Sequence, residues 1–168
     1  SMFWIDGDSA RVQTHVNADQ ALIAGGRFEI KAQLSEKCGF ETAINWTWGR
    51  QMSKGEETSR PMAHIPPVFG RIALDYERRL WSVECNILFS AQKPRANFGD
   101  FATDNLDLML PAGAPPWWTF NVESELELHP SLKLRLGLRN IFDMHYRVFA
   151  SGISAAGRGL HLSLNASF

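Results

Sequence analysis

Apolar and polar residues alternate along this chain in long, regular runs. From Trp118 the even positions Trp118, Phe120, Val122, Leu126 and Leu128 are apolar, while Asn121, Glu123, Glu125, Glu127 and His129 fill the odd ones. Successive side chains of a strand point to opposite faces, so this run predicts a strand with one apolar and one polar face. After His129-Pro130-Ser131 the alternation resumes, with Leu132, Leu134, Leu136 and Leu138 on one side and Lys133, Arg135, Gly137 and Arg139 on the other. Two alternating runs joined by a proline turn predict a hairpin. Pairing Leu128 with Leu132 sets Glu127 against Lys133 and Glu125 against Arg135, so the charges agree with the register that the apolar residues choose.

The same period recurs elsewhere. Leu22, Ala24, Phe28, Ile30, Ala32 and Leu34 oppose Arg27, Glu29, Lys31 and Gln33; Phe40, Thr42, Ile44, Trp46 and Trp48 oppose Glu41, Asn45 and Thr47. Val68, Gly70, Ile72, Leu74 and Tyr76 oppose Arg71, Asp75 and Glu77; Trp81, Val83, Cys85, Ile87, Phe89 and Ala91 oppose Ser82, Glu84, Asn86, Ser90 and Gln92, with Leu88 the exception. Leu160, Leu162, Leu164, Ala166 and Phe168 alternate with His161, Ser163, Asn165 and Ser167. These are seven strands, and an eighth if Met2 to Ile5 is the stump of another. Most runs reach about 11–13 residues against a usual strand of about 5–6, whereas a tilted membrane-crossing strand needs about 9–11.

The connections are short and long by turns. Ser35 to Gly39, Glu77 to Leu80 and His129 to Ser131 are tight; Gln51 to Ile65, Lys93 to Pro115 and Asn140 to Ala156 are long. Short turns on one edge and long loops on the other is the arrangement of outer-membrane barrels, with the short turns in the periplasm. A self-standing soluble barrel with its apolar residues inward, binding an apolar ligand, shares this periodicity. Three features favour the outward orientation: a polar face crowded with opposite charges, aromatics near strand ends (Trp46, Trp48, Tyr76, Trp81, Trp117, Trp118, Phe168), and an aromatic last residue on the apolar face.

Composition removes other classes. With 17 Lys and Arg against 18 Asp and Glu the net charge is −1, which gives a nucleic-acid binder no counterion release to exploit. No apolar run is long enough for a spanning helix, and the mean hydropathy of −0.19 is what two alternating faces produce. Two cysteines exclude a disulfide scaffold, and Cys38 in a tight turn is not opposite Cys85 on a distant strand, so no bridge is expected. No phosphate-binding loop, zinc-protease motif, paired CxxC or nucleophile elbow occurs, so no catalytic role, cofactor or metal is indicated.

Several motifs then carry a family resemblance. NIFDMHY at Asn140 to Tyr146 resembles the N-[LI]-F-D-x-x-Y of TonB-dependent outer-membrane receptors, and GRGLHLSLNASF at Gly157 to Phe168 resembles their closing strand with terminal Phe. HIPPVFGRIALDYE at His64 to Glu77 is similar to their I-P-P segment and following strand. VNADQALIAGGRFEI at Val16 to Ile30 is similar to their N-x-x-x-A-x-x-x-G-x-E run, with Gly26-Arg27-Phe28-Glu29 in place of Gly-x-Glu; Thr103-Asp104-Asn105-Leu106 departs from their T-x-x-Y. The resemblance implies an all-β, antiparallel transmembrane barrel in the outer membrane of a Gram-negative bacterium. Residues 1–168 would be one unit of about seven or eight long strands, the C-terminal third or so of a larger barrel. The plug domain and the TonB-contacting segment would lie in an N-terminal part outside the chain. The parent would import a scarce nutrient such as an iron-siderophore complex, haem or cobalamin.

Within that frame His64, Arg95, Trp117, His145 and Arg147, all in or beside long loops, are candidates to touch a ferric chelate or haem. Phe168, with Leu164 and Leu162, resembles the signal read by the assembly machinery. Asn140, Asp143 and Tyr146 read as loop-shaping residues, because Asn and Asp bond their own backbone in turns. Glu123, Glu125 and Glu127 lie about 6.5–7 Å apart along one face, too far to share a metal, and with Lys133, Arg135 and Arg139 opposite they read as a charge ladder on a lumen wall. Besides lipid, a second copy of the chain is a candidate partner, since an open sheet has two unpaired edges.

Overall fold

The computed structural model describes residues 2–5, 8–11, 20–52, 58–99 and 110–167. A small hairpin of β1 (Met2–Ile5) and β2 (Asp8–Arg11) stands as its own two-stranded sheet, so Met2–Ile5 does not join the main sheet as an eighth strand. The main sheet is built from β3 (Gln20–Gln33), β4 (Cys38–Met52) with a two-residue β5 (Arg60–Pro61) on its loop end, β6 (Phe69–Arg78) and β7 (Trp81–Ser90). A short ladder of β8 (Lys93–Pro94) and β9 (Gly113–Ala114) lies in the next loop, with a single 3-10 turn at Arg95–Asn97. The sheet then continues through β10 (Trp117–His129), β11 (Leu132–Arg139) and β12 (Gly159–Ala166).

All pairings are antiparallel and the long strands follow chain order, β3, β4, β6, β7, β10, β11, β12. The seven strands expected from alternation are therefore the seven observed. Each strand pairs with the one before it because the connections are hairpin turns or loops that return to the same edge. The edge strands β3 and β12 do not pair with each other, so the sheet is an open stretch of wall.

Register follows the faces. Glu125 lies opposite Arg135 and Glu127 opposite Lys133, as expected, but Leu128 does not pair with Leu132: a bulge places His129 there instead. The tighter Pro130-Ser131 turn leaves Leu128 as the extra residue, and Ser131 N donates to His129 Nδ1 at 3.2 Å. The Lys133 ammonium also departs from its expected partner, sitting 3.0 Å from Glu125 rather than on Glu127. Its direct neighbour across the ladder lies beside the bulge, while the diagonal carboxylate is within a lysine's reach.

The apolar face is uncovered. Leu126, Leu136, Leu138, Leu160, Leu162, Leu164, Leu74, Ile30 and Phe28 are all exposed, Leu162 to 69% and Leu160 to 70%. Among the described residues the buried apolar side chains are Ala73, Phe98 and Ala114, of which the last two belong to loops. Trp46, Trp48, Trp117 and Trp118 lie toward the long-loop edge and Tyr76 and Trp81 at the short-turn edge, as strand-end aromatics should; Phe168 lies outside the described residues.

Cys38 and Cys85 are both free, Cys85 standing opposite Val122 on β10 and Leu74 on β6. Directly paired residues have Cα atoms within disulfide range. In a Cys38→Ser background, Val122→Cys will cross-link to native Cys85 under mild oxidation, read by non-reducing electrophoresis and peptide mapping. Asn121→Cys, one residue away on the other face, will not; the reverse outcome contradicts the register.

Candidate functional site

The polar face carries a continuous string of contacts across the sheet. Lys31 on β3 lies 3.4 Å from both Glu29 and Glu41, and Arg71 on β6 bridges Glu41 at 3.8 Å and Glu84 at 2.5 Å. Glu84 accepts a hydrogen bond from Asn86 Nδ2 at 2.8 Å, and Asn86 Oδ1 accepts one from Asn121 Nδ2 at 2.9 Å. Asn121 Oδ1 in turn accepts from Asn140 N at 2.8 Å, carrying the string into the loop after β11. Below it Glu125 meets Arg135 at 2.5 Å and Lys133, and Glu123 reaches Arg139 at 3.5 Å. No ion pair reaches Glu127 among the described residues.

Exposed ion pairs contribute little individually. The amide pair is different, because Asn86 and Asn121 are 7% and 5% exposed and an unpaired buried amide is costly. Asn86, Thr119, Asn121, Arg71, Glu84 and Arg139 line a groove of about 640 Å³ on the polar side, which the loop residues Asn140, Tyr146 and Ala156 help to close. Leu88, the exception in its strand's alternation, also lines it. A side chain at Gly137 would run into the His161 ring, so this glycine gives the imidazole its place on the same face.

The loop from Asn140 to Arg158 is clasped rather than loose. Asn140 and Asp143 take positive φ of 48° and 55°, a region that Asn and Asp tolerate best after glycine. Asn140 Oδ1 accepts from Met144 N at 2.9 Å, its Nδ2 donates to Met144 O at 2.9 Å, and Asp143 Oδ1 accepts from Arg158 N at 2.8 Å. Tyr146 stacks on Trp117 with ring centroids 4.2 Å apart. The loop-shaping reading of these three residues matches this geometry.

The long loops own the one apolar cluster of buried residues found among the described residues. Phe98 and Ala114 pack with Phe149, the two rings edge to face at 5.5 Å. Buried Lys93 places its ammonium 5.1 Å from the Phe98 centroid and 4.0 Å from that of Phe149, and donates to the Ile65 carbonyl. Three loops therefore meet on one lysine. Nothing in the alternation singled out Lys93, Phe98 or Phe149, since their partners are remote in sequence.

The five candidate ligand residues all stand on this long-loop edge. His64 is exposed, with φ 60°, and Arg95 is exposed in the 3-10 turn. His145 and Arg147 flank Tyr146 in the loop after β11, and Tyr146 itself stacks on Trp117 at the start of β10. Residues 100–109, which include Asp100, Phe101, Asp104 and Asp107, lie outside the described residues. No group of His, Cys, Asp and Glu able to hold a metal ion occurs among the described residues.

Asn121→Ala removes a partner from both Asn140 N and Asn86 Oδ1, a loss of about 1–3 kcal/mol for each buried group left unpaired. Limited proteolysis within 141–158 will accelerate while the strand signal in far-ultraviolet circular dichroism is retained. Unchanged cleavage contradicts the anchoring role.

No family model and no curated protein matches the chain. Solved structures do. The copper transporter OprC aligns at 21% identity and TM-score 0.72, over 88% of this chain and 24% of that one. A mutant of the ferric enterobactin receptor PfeA from Pseudomonas aeruginosa aligns at 17% and 0.62, over 90% and 23%. The ferric-catecholate import receptor Fiu from E. coli K12 aligns at 13% and 0.59, over 87% and 21%. The chain spans roughly a quarter of the length of these proteins. Its open antiparallel wall, apolar on one face and polar on the other, has the fold of a stretch of the β-barrel of TonB-dependent outer-membrane receptors.

Proposed function

We propose that the chain is part of the barrel wall of a TonB-dependent receptor in the outer membrane of a Gram-negative bacterium, and that its parent imports a scarce nutrient. The observation that carries this reading is the pairing of an uncovered apolar face with a groove on the polar face. A soluble barrel with an apolar interior would have Leu126, Leu136 and Leu162 lining its enclosed side, whereas these side chains are exposed. The wall's role is to span, to hold a hydrated interior and to carry loops; its residues bind and position, and do no bond-making chemistry.

The nutrient is a metal chelate of the iron-siderophore or haem class. The structurally similar proteins are a copper transporter, a ferric-catecholate import receptor and a ferric enterobactin receptor, which supports metal-bearing cargo. Trp117, His145 and Arg147, with His64 and Arg95 on neighbouring loops, offer aromatic faces, imidazoles and cations to an anionic planar chelate. Plug and TonB contacts belong to the parent protein.

The test is a pair of arginines on opposite faces. Leu134→Arg puts a charge on the lipid side at a cost of about 2–4 kcal/mol near the bilayer midplane. Ser82→Arg puts one on the polar side, opposite Glu77 and Glu125. When the purified chain is refolded into phospholipid vesicles and floated, the Ser82→Arg chain will enter the vesicles and the Leu134→Arg chain will not. A chain that stays monomeric in plain buffer without detergent, or that tolerates Leu134→Arg in the vesicle fraction, contradicts the reading.

A further inference from the structure

The short-turn edge is the charged end of the outward face: Arg78 stands there beside exposed Arg79 of the same turn, in a groove that Glu77, Glu125 and Glu127 line from the polar side. The β6–β7 hairpin turns through Arg79-Leu80, which sets Arg78 directly opposite Trp81 and Tyr76 opposite Val83. Tyr76 and Arg78 share the face of Ile72 and Leu74, while Asp75 and Glu77 take the other. Arg78 Nε donates to the Tyr76 hydroxyl at 2.8 Å, and the guanidinium carbon stands 5.8 Å from the Tyr76 ring centroid. The Tyr76 and Trp81 rings are 5.4 Å apart. Arg78 and Trp81 are exposed, and no carboxylate pairs with Arg78 among the described residues.

The flanking outward positions are neutral: Cys38 lies opposite Tyr76 on β4, and Leu126 opposite Trp81 on β10. The adjacent turn brings Lys37 to the same edge, its carbonyl accepting from Glu77 N, while Leu80 O accepts from Glu127 N on the other side. Along β6 the order is Ile72, Leu74, Tyr76, Arg78, which is hydrocarbon-compatible side chain, then interfacial aromatic, then cation. A guanidinium held through one N–H keeps its terminal nitrogens for a fork-like bond to two oxygens, the geometry of a phosphate.

We infer that Tyr76, Arg78 and Trp81 form a seat for the phosphate of an anionic phospholipid in the leaflet that meets the short turns. The inference rests on the membrane reading above. Tyr76 fixes the guanidinium, Trp81 sits at headgroup depth, and Arg78 supplies the charge. A headgroup without a compensating choline is preferred, by the contribution of a single interfacial arginine, about fivefold.

The experiment uses the full chain with Trp81 as its sole tryptophan, the other five replaced by Phe, refolded into vesicles of phosphatidylcholine and phosphatidylglycerol, of which one or the other is brominated. Relative quenching gives the local preference at Trp81. Phosphatidylglycerol will be enriched about fivefold in the parent chain, near parity in Arg78→Ala, and in between in Arg78→Lys and in Tyr76→Phe. Exchange of chloride for inorganic phosphate at equal ionic strength will leave the enrichment unchanged. Quenching by both lipids at parity in the parent chain overturns the seat while leaving the membrane reading intact. Loss of the enrichment in inorganic phosphate means a free anion is captured and overturns the lipid assignment. No quenching by either lipid overturns the membrane reading itself.

Discussion

A sheet with large apolar side chains on one face, and no second layer over them, needs an apolar surrounding. Soluble domains meet this need by packing a helix or another sheet on the face. Here Leu74, Leu126, Leu136 and Leu162 are exposed, and among the described residues the buried apolar side chains are Ala73 and those of the loop cluster. The long, uninterrupted antiparallel ladder belongs to the same condition, since every strand N–H and C=O away from water must be paired within the sheet. The long strands from β3 through β10, of 10 to 15 residues, have the length that a tilted membrane-crossing strand needs.

The same alternation that makes the outside apolar makes the inside polar. Opposite charges on adjacent strands, Lys31 with Glu41 and Arg135 with Glu125, pair on the polar side. Toward the loop edge the string changes character from ion pairs to buried amides at Asn86 and Asn121, and there it takes hold of the loop at Asn140. Wall and loop are thus one hydrogen-bonded unit. Lys93 does the corresponding work among the loops themselves, with two phenylalanine rings and a carbonyl around one ammonium.

Period-two alternation made the strands legible, because a face once apolar stays apolar across every paired neighbour. Strand order followed from the turn and loop lengths, and the turns at Glu77 to Leu80 and at Ser35 to Gly39 fell where expected. The bulge at Leu128 did not show, since deleting or adding one residue in a turn leaves the pattern on both strands unchanged. Asn140 and Asp143 were readable as turn formers, but not the grip of Asn121 on Asn140, which joins positions on different strands. Lys93 was invisible for the same reason: a lysine in a loop reads as solvated until its distant aromatic neighbours are brought to it.

The most direct measurement of the central claim is the accessibility of spin labels placed singly at each position from 132 to 139 on β11 except Gly137, where a side chain would meet the His161 ring, in the reconstituted chain. A period of two is expected, with labels at 132, 134, 136 and 138 relaxed by oxygen dissolved in lipid and those at 133, 135 and 139 relaxed by a water-soluble nickel complex. The opposite phase, or the loss of the period altogether, would contradict it.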